Sequence, residues 1–358
     1  MKEILVLCGG KSTEHAISLR SARNIVNELW KADYSVHICY IDESGKFAPC
    51  YKMNRPVDAP EDLRKEIPVS KLHSIAEFCN YAETLESAVV FPVIHGQSGE
   101  DGEIQGLLQS LGLPYVGNGL TASALCMDKG FANAVFVQAG LPHAKFYVLT
   151  KFEYENTSFE ILQEKLVALL GQEFFVKPAN NGSSIGVSRA TPDTLKTALK
   201  EAFIYDNRVV VEEEIKGVEL EISVLGNEKA VASLPGSYTT VRETLDYTAK
   251  YNDAKTIENV PHSLSKEKTE ELQTLALHAY HVLGCEGFAR VDIFMNPQGE
   301  FFINEINTFP GMTPTSLAPK LWTALTSMTF LEYLETILRH ARESQQNRKQ
   351  ISTVWRNV

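Results

Sequence analysis

The feature that most constrains the fold is a strand, a glycine turn and a helix in immediate succession near the start of the chain. Residues 4–7 form an apolar run, and Gly9-Gly10 interrupts it. Apolar residues then recur at helical spacing, at Ala22, Ile25, Val26 and Leu29. Further strand-like runs follow in VHICYID and AVVFPVIHG. Strands that alternate with glycine turns and helices predict an α/β fold, with a parallel sheet in an N-terminal domain of residues 1–118.

Two further blocks follow. A small α+β block is predicted over 119–211, with one helix from Thr121 to Gly140 and strands in KFYVLT and EFFVKPA. A third block over 212–342 opens with two strands around a Lys-Gly turn. It contains an aperiodic polar stretch, 237–261, of a length typical of lids or of disordered segments. A last helix is predicted from Thr329 to Arg342, and we expect the polar tail, 343–358, to fray.

A predicted hairpin in the third block carries the most informative polar residues. GFARVDIFMN and EFFINEIN flank the turn 296–299. With Met295 opposite Glu300, Asp292 would face Ile303 and Arg290 would face Glu305. Arg290, Asp292, Glu305 and Asn307 would then share one face, and the opposite face would be apolar except for Asn304. Two carboxylates and an amide suit Mg²⁺, but their spacing alone supports a solvated face equally well.

Two segments are candidates for binding phosphate. CGGKS, at 8–12, resembles the end of a Walker loop, but Leu5 stands where that motif needs glycine. We therefore interpret Gly9-Gly10 as a strand-to-helix turn. The second candidate is the loop 181–186, NGSSIG, with Lys177 on the strand before it. Small residues allow backbone N–H groups to approach phosphate oxygens, although such a turn alone is more often an ordinary hairpin.

Charge and cysteine content restrict the class of protein. The formal net charge is −11 and there is no long Lys/Arg run, which argues against nucleic acid or an anionic membrane as a partner. The six cysteines are scattered without a CxxC pair, as expected of reduced thiols in a cytoplasmic protein. No apolar run is long enough for a signal peptide or a membrane span.

Several motifs in order resemble the ATP-grasp superfamily: VKP-x3-GSS-x-G, VVVEE-x3-GVELE, GFARVDIF and NEINTFPGMT. Within it, the chain resembles the D-alanine–D-alanine ligases, from residue 4 to about 340. The supporting segments are GGKSTEHAISL, HGQSGEDGEIQGLLQSLGLPYVG, MDKGFANAVFVQAGLP and DYTAKY. The resemblance implies a cytoplasmic enzyme of peptidoglycan precursor synthesis. Such an enzyme uses ATP to convert one D-alanine to an acyl phosphate, which the amine of a second D-alanine attacks.

The resemblance also implies a nucleotide site between the second and third blocks. Lys129 and Lys177 match the lysines that hold the phosphates. Glu212 matches the hinge residue at adenine, and Glu219 matches the carboxylate at ribose. Lys250, in the lid, would reach the γ-phosphate. Without the motifs, each lysine would be interpreted as a surface charge.

The metal and the reacting groups are implied in the same way. Asp292, Glu305 and Asn307 match the ligands of two Mg²⁺ ions, with Mn²⁺ as an alternative. Arg290 and the backbone of Gly311 match the donors that stabilise the oxyanion of the tetrahedral intermediate.

Substrate-side residues complete the implied site. Glu14, Ser183 and Tyr251 match a hydrogen-bonded triad, in which the glutamate receives the ammonium group of the first D-alanine. Tyrosine at 251 favours a dipeptide product over D-alanyl-D-lactate. His95 matches a substrate-side histidine. The carboxylate of the second substrate would lie at Ser316 and Leu317.

The chain departs from the family pattern around the amino-acid site. Ala16 replaces a second glutamate, and Ser237 replaces another. Thr244-Leu245 stands where aromatic residues are usual, and Ala318 where tyrosine is common. These changes bear only on substrate preference, and they leave open a ligase for another small amino or hydroxy acid. A nucleotide sensor without turnover is an alternative of another class, and the retained lysines, Arg290 and metal-ligand residues argue against it. The expected partners are small amino acids and, from the family, a second copy of the chain through the N-terminal domain.

Overall fold

The computed structural model describes residues 2–239, 257–313 and 316–352. The first sheet has the strand order β3-β2-β1-β4, in which β1 pairs in parallel with β2 and β4. Its strands are β1 (Glu3–Gly9), β2 (Ser35–Ile41), β3 (Tyr51–Lys52) and β4 (Val89–Val93). Its helices are α1 (His15–Lys31), α2 (Lys71–Glu83) and α3 (Glu103–Ser110), with a 3₁₀ turn at Pro60–Leu63. The predicted parallel α/β arrangement of the first domain is confirmed.

The turn between β1 and α1 requires glycine. Gly9 has a φ of +92°, and a Cβ there would lie 2.2 Å from the carbonyl oxygen of Ile41. L-residues with side chains are strained at such a φ. Gly9-Gly10 therefore forms the predicted strand-to-helix turn and aims the start of α1 across the end of the sheet.

The segment predicted as one helix from Thr121 to Gly140 is two helices, α4 (Leu120–Met127) and α5 (Lys129–Gln138). Asp128 separates them with an extended backbone, and its carboxylate accepts a hydrogen bond from the backbone N–H of Phe131. An aspartate N-cap stabilises a helix start at this point. Apolar side chains of α4 and α5, such as Cys126 and Phe136, belong to the core of the C-terminal sheet described below.

A second sheet is antiparallel, with the order β5-β8-β6-β7. It comprises β5 (Phe146–Thr150), β6 (Phe174–Pro178), β7 (Ser188–Ala190) and β8 (Arg208–Glu213). It is accompanied by α6 (Lys151–Asn156), α7 (Phe159–Leu170) and α8 (Leu195–Tyr205). The predicted division at 211/212 falls inside β8, so Glu212 belongs to this central sheet. Its core is separate from those of the other two sheets.

The third sheet has the order β12-β11-β9-β13-β14, with β10 beside β9. Its strands are β9 (Val218–Leu225), β10 (Val231–Ala232), β11 (Gly236–Thr239), β12 (Ile257–Asn259), β13 (Phe288–Met295) and β14 (Phe301–Asn307). Its helices are α9 (Lys266–Val282), α10 (Leu317–Thr323) and α11 (Phe330–Gln350). The strands predicted on either side of the Lys-Gly turn, β8 and β9, therefore lie in different sheets. The ends of the predicted lid, β11 and β12, pair with each other, and 240–256 lie outside the described residues.

Helix α11 is longer than predicted. It continues to Gln350, through much of the tail expected to fray. Arg348 pairs with Glu286 at 2.6 Å and its guanidinium lies 5.0 Å from the ring centre of Tyr115. Earlier in the helix, Tyr333 and Leu334 share one core with the first sheet. Helix α11 thus joins the N-terminal and C-terminal parts of the molecule. In the described part of the chain, no helix has the length and apolarity needed to cross a membrane.

Candidate active site

A cavity of about 110 Å³ lies where the three sheets meet. Its lining includes eight of the predicted site residues: Glu14, His95, Lys129, Ser183, Arg290, Glu305, Asn307 and Gly311. Drug-sized ligand pockets are usually about 300–1,000 Å³. The enclosed volume therefore suits a small substrate or the reacting end of a larger one.

Glu14 immediately precedes α1 and links the first sheet to the central loop. Its Oε1 accepts a hydrogen bond from the hydroxyl of Ser183 at 2.5 Å. A Cβ at Gly182 would lie 3.1 Å from Oε2 of Glu14, so glycine permits this close approach. Ala16, two residues further on, is exposed. The structure thus brings the predicted pair Glu14 and Ser183 together in the cavity lining, to which Ala16 does not belong.

His95 is buried and surrounded by polar contacts. Its Nε2 lies 3.0 Å from the hydroxyl of Ser21, and its Nδ1 lies 3.1 Å from the carbonyl oxygen of Phe309 and 3.4 Å from the carboxylate of Glu100. Burial acts to lower the pKa of His95, but the hydrogen bond and charge of Glu100 outweigh it and leave the pKa above its usual value. Burial raises the pKa of the Glu100 carboxyl. Protonated, His95 would be a cationic donor beside the cavity.

The break at Asp128 places Lys129 in the first turn of α5. The Nζ of Lys129 donates to the carbonyl oxygen of Asn181 at 2.8 Å and lies 3.3 Å from Oε2 of Glu305. Asp128 also accepts from Arg208 and Asn180, which anchors the residues before the glycine-serine loop. One lysine thus lies between the backbone of that loop and a carboxylate of the C-terminal sheet.

Lys177 and Glu212 form a buried ion pair on neighbouring strands of the central sheet. Their Nζ and Oε2 atoms are 2.6 Å apart, and Asn133 donates to the other carboxylate oxygen. Burial acts to lower the pKa of Lys177, but the charge and hydrogen bond of Glu212 keep it above its usual value. Lys177 is therefore a buried, permanently charged group, and its Nζ also donates to Asn304 at 3.1 Å. Asn304 in turn donates to Glu219.

The hairpin of β13 and β14 has a different register from the one predicted. Met295 pairs with Phe301 rather than Glu300, and after Ile293 pairs with Ile303 the register shifts, so that Asp292 pairs with Glu305. Asn304 is the extra residue of this β-bulge. The bulge lets Ile303 and Ile306, three residues apart, both enter the core. Without it, regular alternation would have placed Phe302 on the core face together with Ile306.

The four polar residues nevertheless lie together, because Arg290 pairs with Asn307 in the same register. Arg290 contacts both carboxylate oxygens of Asp292, at 2.7 and 2.6 Å, and its Nε lies 3.1 Å from Glu221. Asp292 and Glu221 are buried. A single cation thus lies against two buried carboxylates of β13 and β9.

The donor set of Asp292, Glu305 and Asn307 fits a hard cation. All three offer oxygen ligands from adjacent strands, the set that Mg²⁺ prefers. Over the described residues, no three Asp, Glu, His or Cys side chains are close enough to hold a metal by themselves. The amide of Asn307 and the oxygens of a phosphate ligand would therefore have to complete the coordination.

The segment after β14 returns to the cavity at Gly311. The backbone N–H of Met312 is 3.5 Å from the hydroxyl of Ser21, which also contacts His95. Ser316 begins α10, and its hydroxyl accepts from the backbone N–H of Thr313. Ser316 and Leu317 are buried beyond the cavity lining. Lys250 and Tyr251 lie outside the described residues.

The sequence interpretation missed four residues of the site region. Glu100 contacts His95, and Asp128 anchors the central loop. Asn304 joins Lys177 to Glu219. Asn118 donates to the carbonyl oxygens of Phe288 and Thr308 and accepts from the backbone of residue 286, which joins the N-terminal and C-terminal parts. Two of them had a visible signal: Asn304 is a polar residue in an apolar pattern, and Asp128 is a residue type that favours a helix start.

The fold and site define the class of the protein. Two antiparallel sheets meet at the contact between Lys177 and Asn304, with lysines on one side and carboxylates on the other. This is an ATP-grasp fold, and the protein is an ATP-dependent ligase. A similar solved structure is the D-alanine–D-alanine ligase from Coxiella burnetii, with a TM-score of 0.77, 33% identity and 98% of each chain covered. Another is the VanG D-Ala:D-Ser ligase from Enterococcus faecalis, with a TM-score of 0.79, 29% identity, and 95% of this chain and 99% of that chain covered.

Sequence comparisons identify the family. The model of the D-ala D-ala ligase N-terminus matches residues 3–118, and that of the C-terminus matches 135–339. A D-alanine–D-alanine ligase of Finegoldia magna is 41% identical over 97% of this chain and 98% of that protein. The chain belongs to the D-alanine–D-alanine ligase family.

Proposed function

We propose that the protein joins two molecules of D-alanine at the expense of ATP, and that it does so in the cytoplasm for peptidoglycan synthesis. The observation that carries this proposal is the cavity, where Glu14 and Ser183 face Arg290 and Gly311. One end of a small amino acid then meets a carboxylate and the other end meets cationic and N–H donors.

The first D-alanine binds with its ammonium group at Glu14 and its carboxylate toward Arg290. A carboxylate oxygen attacks the γ-phosphorus of ATP, the bond to the β-phosphate oxygen breaks, and ADP leaves. Lys129 and Lys177 hold the phosphates during this step. Lys129 lies beside the glycine-serine loop, and Lys177 lies where the central and C-terminal sheets meet. Glu212 lies at adenine and Glu219 at ribose.

Asp292, Glu305 and Asn307 would hold the divalent cations, with two Mg²⁺ ions expected and Mn²⁺ as an alternative. Such ions would supply positive charge that neutralises the phosphate charge during phosphoryl transfer. The nearby Lys129 contributes a fixed positive charge to the same place.

The second D-alanine binds with its carboxylate at Ser316 and Leu317. Its amine attacks the carbonyl carbon of the acyl phosphate, loses a proton, and phosphate leaves as the peptide bond forms. Arg290 and the N–H of Gly311 stabilise the oxyanion. His95 orients the loop around Gly311 through Ser21. The lid, 237–261, closes over the site and excludes water, with Lys250 at the γ-phosphate and Tyr251 at the first substrate.

A second candidate keeps the chemistry and changes the second substrate. It is favoured by the similarity to a D-Ala:D-Ser ligase and by the changes at Ser237 and Ala318, in segments that the resemblance assigns to the amino-acid site. Homodimerisation through the N-terminal domain is part of the proposal in either case.

The test is phosphate release from ATP over a panel of D-alanine, D-serine, D-lactate and glycine, singly and in pairs, with product analysis by mass spectrometry. We expect the highest kcat/KM with D-alanine alone and D-alanyl-D-alanine as the product. A higher value for a mixed pair would support the second candidate. ATP binding without turnover on any substrate would contradict both and favour a nucleotide sensor.

A further inference from the structure

The side chain of Asn304, on β14 of the C-terminal sheet, contacts one residue of the central sheet and one residue of its own sheet. Its Oδ1 accepts a hydrogen bond from Nζ of Lys177, at 3.1 Å, and its Nδ2 donates to Oε1 of Glu219, at 3.0 Å. Lys177 lies on β6 of the central sheet, and Glu219 lies on β9 of the C-terminal sheet. The amide thus spans the junction between the two sheets.

The backbone explains why an asparagine can occupy this position. As the extra residue of the bulge in β14, Asn304 is released from the regular alternation, while Ile303 and Ile306 stay in the core. A polar side chain there does not have to enter the apolar face. The bulge therefore converts a position expected to be buried in the core into one that faces the cleft.

We infer that Asn304 is a positioning residue for the nucleotide, which fixes the ribose-binding carboxylate of Glu219 relative to the phosphate-binding Lys177. This inference rests on the proposed nucleotide-binding roles of Glu219 and Lys177. It goes beyond those roles, because it assigns to one amide the relative placement of Glu219 in the C-terminal sheet and Lys177 in the central sheet.

The chemistry of the amide is specific. One end accepts from a cation and the other end donates to an anion, so its orientation is fixed by its two partners. Aspartate would keep the acceptor for Lys177 but place a second negative charge against Glu219. Leucine has similar volume and would provide neither bond. Lys177 retains its ion pair with Glu212 in each variant, so Glu219 is the partner that loses its anchor.

The experiment measures equilibrium binding of ADP, 2′-deoxy-ADP and 3′-deoxy-ADP by calorimetry, for the wild type, Asn304→Leu and Asn304→Asp. The wild type should bind ADP more tightly than at least one deoxy analogue. In both variants the Kd for ADP should rise about tenfold, the size expected for a weakened hydrogen bond to a charged group. The Kd for that deoxy analogue should change much less, so the variants should bind ADP and the deoxy analogue with similar affinity.

Steady-state kinetics give a second readout. At saturating ATP, kcat should stay within about threefold of wild type, while KM for ATP rises in parallel with the Kd. Asn156→Leu, at an exposed asparagine of α6, is the matched control and should change neither. Circular dichroism and urea unfolding of each variant establish that it is folded, and Asn304→Asp provides the test if the leucine variant is not.

Three results would overturn the inference. One is an unchanged Kd for ADP in the folded variants, and another is an equal rise for ADP and both deoxy analogues. The third is a wild type that does not distinguish ADP from either deoxy analogue, since Glu219 would then not bind ribose. A failure of the proposed dipeptide synthesis is distinguishable, because it would leave the ADP-binding measurements intact.

Discussion

Glu14→Gln tests the position of the first substrate most directly. Glu14 accepts a hydrogen bond from Ser183 at 2.5 Å and lines the cavity. Glutamine has nearly the same shape and keeps an oxygen that can accept from Ser183. The substitution therefore removes the negative charge offered to the ammonium group of D-alanine, with little change in packing.

The expected magnitude follows from the loss of a charge-assisted hydrogen bond. Such a bond contributes about 1.5–3 kcal/mol net. At about 1.36 kcal/mol per factor of ten, this corresponds to a rise in KM of about 10- to 150-fold at the first D-alanine site. KM for ATP should change by less than about twofold, since the side-chain hydrogen bond of Glu14 within the described residues is to Ser183, on the substrate side of the cavity.

The assay is initial-rate phosphate release with D-alanine varied at saturating ATP, and then with ATP varied at saturating D-alanine. Ala16→Glu is the matched control, because Ala16 is exposed and lies two residues from Glu14 on the other side of the helix start. The control should leave both KM values unchanged. The reasoning would be refuted if Glu14→Gln were silent while Ala16→Glu sharply lowered KM for D-alanine.

Three further substitutions test other parts of the structure. Glu305→Gln should abolish most turnover while ADP binding, measured by calorimetry, changes little, because a metal-binding charge is lost; normal turnover at ordinary Mg²⁺ would disprove the metal assignment. Arg290→Met should lower kcat by about 10²–10³-fold, because an oxyanion donor is lost. It should also reduce the free energy of unfolding by about 3–5 kcal/mol, because buried Asp292 loses its cation. A rise in KM alone, with stability unchanged, would contradict both the catalytic and the structural role of Arg290. Arg348→Ala should lower the urea-derived free energy of unfolding by about 1–2 kcal/mol. Arg339→Ala, at an exposed i,i+4 pair, is the control and should cost less than about 0.5 kcal/mol. Equal effects would show that Arg348 does not join the N-terminal and C-terminal parts of the molecule.

Local patterns predicted the first sheet well because its signals are short-range. Strand β1 is an apolar run after Glu3, β4 is apolar throughout, and β2 is apolar except for Ser35 and His37. Gly9-Gly10 marks the first turn. Buried parallel strands are typically apolar on both faces, so the run itself carries the information.

The bulge at Asn304 could not be predicted from the alternation of the strand. The bulge allows Ile303 and Ile306 to enter the same core, which is built with residues of α9 and β9 that are distant in sequence. The break at Asp128 did have a local signal, an aspartate at a helix start, but the apolar periodicity ran across it. Both irregularities lie next to site residues, Glu305 in one case and Lys129 in the other.

The extent of α11 was beyond local prediction for a similar reason. Its last two turns are polar, and polarity in a terminal segment is typical of fraying. Contacts from Arg348 to Glu286 and from Gln345 to the carbonyl oxygen of Gly112 hold it instead. Those partners are at least 62 residues away in the chain.

The central claim, that the site joins two D-alanines through an acyl phosphate, is tested most directly by isotope transfer. D-alanine labelled with ¹⁸O in both carboxylate oxygens is incubated with the enzyme and unlabelled ATP, and the released phosphate is analysed by mass spectrometry. Attack of a carboxylate oxygen on the γ-phosphorus predicts one ¹⁸O atom in each phosphate, formed together with one D-alanyl-D-alanine. Dipeptide formation with unlabelled phosphate would contradict the acyl-phosphate mechanism, and phosphate release without dipeptide would contradict the proposed function.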